Sequence, residues 1–98
     1  MEPAHILSAI RSIESDLRAR GVASVFLFGS VARGEAHPAS DIDMLLDIRK
    51  DARFSLFDQA GLAAELSERL GAAVDLVTRE GLHPALRPQI EAEAVRVF

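Results

Sequence analysis

The stretch from Phe28 to Asp43 constrains this chain most. Gly29-Ser30 closes an apolar run, Val22 to Phe28, and ten residues later Asp41-Ile42-Asp43 opens a second run that ends at Ile48. Both runs have the length and residue types of β-strands. A glycine-serine turn at the end of one strand therefore faces two carboxylates at the start of its neighbour. Carboxylates at i and i+2 on a strand project to one side, and backbone N–H groups after such a turn can converge on an anion. That pairing of donors and acids suits a metal-bound triphosphate.

Composition narrows the alternatives. Ninety-eight residues, about half apolar, are enough for one domain with one core, 1–98. There is no cysteine, so thiolate catalysis, disulfides and cysteine zinc sites are excluded. The net charge is −4 and Lys50 is the sole lysine, which argues against direct nucleic-acid binding. No apolar run spans a membrane, and Met1 to His5 do not resemble a signal peptide. The expected location is the cytoplasm.

The other elements follow in order. Ile6, Ile10, Ile13 and Leu17 form one stripe, which predicts a single helix from Pro3 to Arg20, stopped by Gly21. Val22 to Phe28, nearly all apolar, is an interior strand. A short helix is expected over Ser30 to Arg33, capped by Ser30 and ended by Gly34. His37 to Ser40 reads as an exposed turn. Along Asp41 to Ile48, alternation assigns Ile42, Met44, Leu46 and Ile48 to the core face, and Asp41, Asp43, Leu45 and Asp47 to the other. Phe54 to Leu70 carries a second helix ended by Gly71. Ala73 to Val77 is a third strand with Asp75 between apolar neighbours. Arg87 to Ala94 is a last helix and Val95 to Phe98 a terminal strand.

Asp41 and Asp43 can share Mg²⁺ through hard oxygen ligands, and Asp75, on a neighbouring strand, is the candidate third ligand. Two ions about 4 Å apart can stabilise both the attacking and leaving oxygens of a phosphoryl displacement. Gly29 and Ser30 would bind phosphate oxygens, and Arg33 could add a cation or simply pair with Glu35 or Asp41. Each feature has an ordinary reading. An Asp-x-Asp pair often marks a solvated strand end, a Gly-Ser turn is common, and Asp75 could be an exposed strand residue. Their joint order is far more specific than any part. Three neighbouring acids would also repel one another without a cation.

At this point the residues resemble a known family. Gly29-Ser30, the gap, and Asp41-Ile42-Asp43 match the signature of the DNA polymerase β-like nucleotidyltransferase superfamily. The string Gly29-Ser30-Val31-Ala32-Arg33-Gly34-Glu35-Ala36, followed by Ser40-Asp41-Ile42-Asp43, looks like its minimal nucleotidyltransferase branch. The resemblance implies an α/β (α+β) fold, a small mixed β-sheet with helices packed on one side. It implies Mg²⁺, with two ions, and ATP as the nucleotide donor. By position, Gly29 and Ser30 would bind phosphate, Asp41 and Asp43 would bind metal, and Asp75 would bind metal and help activate an acceptor hydroxyl. Similar proteins act as antitoxins of HEPN-domain RNase toxins, and some transfer AMP to a tyrosine of the toxin. A HEPN toxin is therefore the expected partner, in a possible oligomer with this chain. Without the extra domain of larger relatives, the site should be open and shallow, to be completed by the partner.

The leading expectation is a Mg²⁺-dependent nucleotidyltransferase that adenylylates a partner protein. A non-catalytic module that neutralises its partner by masking, and an enzyme that modifies a small molecule, are the alternatives. Nucleic-acid polymerisation is disfavoured by the acidic charge and short chain.

Overall fold

The computed structural model describes residues 3–35 and 41–98. The chain runs α1 (Pro3–Arg11), α2 (Glu14–Ala19), β1 (Val22–Phe28), α3 (Gly29–Ala32), β2 (Ile42–Ile48), α4 (Leu56–Leu70), β3 (Val74–Thr78), α5 (Arg87–Glu93) and β4 (Val95–Arg96). The four strands form one sheet in the order β3-β2-β1-β4. β2 lies antiparallel to β1 and parallel to β3, and β4 lies antiparallel to β1. The parallel pair needs a crossover, which α4 supplies.

Alternation sets the faces. Val25 and Leu27 of β1 stand opposite Leu46 and Met44 of β2, and Leu76 of β3 stands beside Met44. All five are buried, and Ile6, Ile10, Leu17, Leu62 and Leu66 from α1, α2 and α4 pack against them as one core. These helices thus cover one side of a mixed sheet, as expected. The opposite face carries Phe26, Asp43, Leu45, Asp75 and Val77. Leu45, assigned to this face by alternation, is nonetheless fully buried, with Phe26 and Val77 as its register partners. α5, which has no buried residue, is tied to this region through the Glu91–Arg79 ion pair. The Arg79 guanidinium also lies 5.2 Å from the Phe26 ring centroid.

Two expected elements are corrected. The single helix over Pro3 to Arg20 is two helices, α1 and α2, broken at Ser12 and Ile13. The Ser12 hydroxyl donates to the Ala9 carbonyl at 2.6 Å, and Ile13 leaves the helical region at φ −115°, ψ 18°. The buried stripe survives because Ile6, Ile10 and Leu17 still face the sheet. Ser30 does not cap α3. Phe28 holds the cap position and makes no side-chain cap bond.

α4 begins two residues later than the apolar pattern indicated because Ser55 and Asp58 close a capping box. The Asp58 N–H donates to the Ser55 hydroxyl at 3.1 Å, and the Ser55 N–H donates to the Asp58 carboxylate at 2.8 Å. The helix ends at Gly71 in the left-handed conformation, φ 70°. Leu66 stands at its buried centre. Leu66→Ala is expected to lower unfolding free energy by about 2–5 kcal/mol, read as a shift in the urea midpoint. Glu68→Ala, on the exposed side of α4, should change it by less than about 0.5 kcal/mol.

Candidate active site

Sheet register brings the predicted residues to one end of the molecule. Phe28, the last residue of β1, pairs with Asp43, and Asp43 pairs with Asp75 across the parallel ladder. Two hydrogen bonds from α4 fix β3 in that register. The Gln59 side-chain amide donates to the Leu76 carbonyl at 2.8 Å, and the Ser67 hydroxyl accepts from the Val74 N–H at 2.9 Å. Asp75 is exposed between these anchors, and Asp43 is partly buried. Asp41 is exposed immediately before β2. The expected turn over His37 to Ser40 lies outside the described residues.

Gly29 follows β1 at φ +72°, a left-handed conformation that favours glycine. A Cβ at this position would lie 2.2 Å from Asp43 Oδ2. The turn therefore lies directly against the carboxylate, and a side chain at Gly29 would force Asp43 to shift. Ser30, half-buried, is the second residue of α3.

Burial pushes the Asp43 carboxyl above its ordinary value. The Asp75 and Asp41 charges add to this, Arg33 opposes it, and Glu93 contributes a smaller rise. The three aspartates thus share one electrostatic neighbourhood. Among the described residues, they are not drawn together tightly enough to form a metal cluster. Their chemistry nevertheless fits Mg²⁺, which takes one or two carboxylates and completes its shell with water and substrate phosphates.

Two nearby charged residues are tied up in ion pairs. Arg33 pairs with Glu35 at 3.1 Å and with Glu93 at 3.2 Å, and these bonds hold its guanidinium pKa above the ordinary value. Asp47 shares the face of Asp43 but belongs to structure, since both its oxygens accept from Arg79, at 2.6 and 3.1 Å. Glu93 was not legible as a site residue. It lies in α5, distant in sequence, and no local motif marks it. A cavity of about 520 Å³ opens at the other ends of β2 and β3, lined in part by Asp47, Arg49, Thr78 and Arg79. None of the predicted site residues lines it.

A family model described as "Nucleotidyltransferase domain" matches residues 10–97. The chain belongs to this nucleotidyltransferase family. It is 41% identical over 88 residues to a Methanocaldococcus jannaschii protein provisionally named a protein adenylyltransferase, covering 90% of this chain and 92% of that one. It is 36% identical over 93 residues to the protein adenylyltransferase MntA of Thermococcus cleftensis, covering 94% and 92%. Among solved structures, one provisionally described as a minimal nucleotidyltransferase superposes with a TM-score of 0.81 at 37% identity, over 97% of this chain and 95% of that one. The fold alone is shared with a chain from the complex of a tri-AMPylated Shewanella oneidensis HEPN toxin with its MNT antitoxin. That match has a TM-score of 0.70 at 21% identity, over 95% of this chain and 71% of that one. The expected fold and nucleotidyltransferase class therefore hold.

The raised Asp43 value has a sign that can be checked. A carboxyl whose folded pKa is raised stabilises the fold below its unfolded value and loses that contribution as pH rises through the folded value. Without divalent cations, Asp43→Asn is therefore expected to raise the melting temperature at pH 7. The gain should shrink as pH falls into the ordinary carboxylate range, read by thermal unfolding across pH. A variant less stable than the parent at pH 7 would contradict the assigned cost of burying this charge beside Asp75 and Asp41.

Proposed function

We propose that this protein transfers AMP from Mg²⁺-bound ATP to a hydroxyl of a partner protein, as the antitoxin of a HEPN-type toxin. The observation that carries the reading is the Asp43–Asp75 register beside a turn that touches Asp43. Gly29 lets backbone approach the triphosphate without a side chain in the way. The Ser30 N–H and hydroxyl donate to phosphate oxygens, and Arg33 places positive charge at the rim. Asp41, Asp43 and Asp75 would hold the metal, with two ions the expected number. Bound Mg²⁺ offsets the charge of the triphosphate and of the departing pyrophosphate.

Asp75, exposed near the start of β3, would receive the acceptor's proton. The acceptor oxygen attacks the α-phosphorus, the bond to the β-phosphate bridging oxygen breaks, and pyrophosphate leaves. Adenylyl transfer is favoured by the names of the relatives, and a protein acceptor by the AMPylated toxin in the complex that shares this fold. Among the described residues no helix is long and apolar enough to cross a membrane. The cytoplasm, where ATP and Mg²⁺ are available, is the proposed location.

Incubation of a HEPN partner with this protein, ATP and Mg²⁺ is expected to add whole AMP units to the partner's intact mass. Asp41→Ala combined with Asp43→Ala should abolish the gain. A stable, inactive complex with no added mass would favour neutralisation by masking.

A further inference from the structure

The antiparallel pairing of β4 with β1 sets Val95 opposite Leu27. Continuing that register by two residues brings Glu93 alongside Gly29. The side chains complete the approach. Glu93 Oε1 accepts from the Gly29 N–H at 3.0 Å, and Glu93 Oε2 lies 3.2 Å from Arg33 Nη1. The carboxylate is 23% exposed, more enclosed than the Glu35 carboxylate that also meets Arg33, which is 65% exposed. A single acid from the end of α5 therefore grips both ends of the turn that follows β1.

We propose that Glu93 is a positioning residue for nucleotidyl transfer, fixing the Gly29–Arg33 turn against Asp43 in the orientation that receives the triphosphate. The proposal rests on the nucleotidyltransferase reading above. It gives the C-terminal segment a role in the site that neither the glycine-serine turn nor the aspartates indicate. The geometry also divides the donors. The Gly29 N–H and Arg33 are engaged by Glu93, so Ser30 supplies the donors to phosphate. Because Gly29 touches Asp43, a turn released by Glu93 would shift relative to the carboxylates as well.

The test uses Glu93→Ala, Glu93→Gln and Glu93→Asp in the full chain. Glutamine keeps an acceptor for the Gly29 N–H, alanine removes it, and aspartate is one methylene too short to reach it. In proton–nitrogen correlation spectra, the Gly29 amide is expected to move upfield in the alanine and aspartate variants and to hold its place in the glutamine variant. An amide unmoved by alanine would overturn the contact, whatever the activity. In calorimetry with MgATP and no acceptor, alanine and aspartate are expected to weaken binding about tenfold, the size set by one hydrogen bond to a charged group. Glutamine should stay within about threefold of the parent, well under the tenfold that 1.4 kcal/mol represents. Unchanged or tighter binding in the alanine and aspartate variants would overturn the proposal, since the carboxylate would then be a bystander or a competitor of phosphate. If alanine prevents folding, the aspartate and glutamine pair decides on the same criteria. A parent chain that does not bind MgATP overturns the proposed function and this role with it, while the Gly29 amide still reports the contact independently.

Discussion

The close approach of Gly29 to Asp43 organises this end of the molecule. A methyl group at Gly29 would lie 2.2 Å from Asp43 Oδ2, so the carboxylate keeps its present position only beside a glycine. Overpacking a site of this kind forces backbone or rotamer shifts that cost about 1–3 kcal/mol. Here such a shift would also move the acid away from the donors of the turn. The glycine is thus a condition of the site's geometry, beyond its service in ending a strand.

Strand pairing supplies the rest. β1 and β2 run antiparallel, which puts the end of one beside the start of the other. β2 and β3 run parallel, so the acids near the start of each stand side by side. A purely antiparallel meander would have sent Asp75 to the opposite end of the sheet. The crossover helix α4 makes the parallel pairing possible, and its Gln59 and Ser67 bonds hold β3 in register. The core beneath is apolar and well buried, which gives the partly buried Asp43 a firm support. The destabilising electrostatics lie at the rim, where a cation can offset them.

Much of this was legible in the sequence, and the reasons are physical. Strand periodicity located β1 and β2 to the residue or nearly so, because one face of each is apolar without interruption. The spacing of Asp41 and Asp43 pointed both to one side, and the lone acid of the third strand singled out Asp75, which the register sets beside Asp43. Features governed by a single side-chain bond were less visible. Apolar spacing continues straight through Ser12 and Ile13, so it does not mark the break between α1 and α2, where the Ser12 hydroxyl meets the Ala9 carbonyl. The start of α4 was recoverable from Ser55 and Asp58, since Ser-x-x-acid is a local capping pattern. Glu93 was not recoverable, because its contact with Gly29 exists only after β4 has docked on β1. Asp47 was separable from Asp43 by its distance along the strand, but its partner Arg79 becomes apparent only in three dimensions.

The central claim is that the end of the sheet bearing Asp43 and Asp75, rather than the cavity at its other end, holds the metal-bound nucleotide. Titration with ATP and trace Mn²⁺ as a paramagnetic stand-in for Mg²⁺ tests this residue by residue. The amide signals of Ser30, Asp43 and Asp75 should broaden first, while those of Arg49 and Arg79 stay sharp. Broadening centred on Arg49 and Arg79, or none near Asp43, would contradict the account.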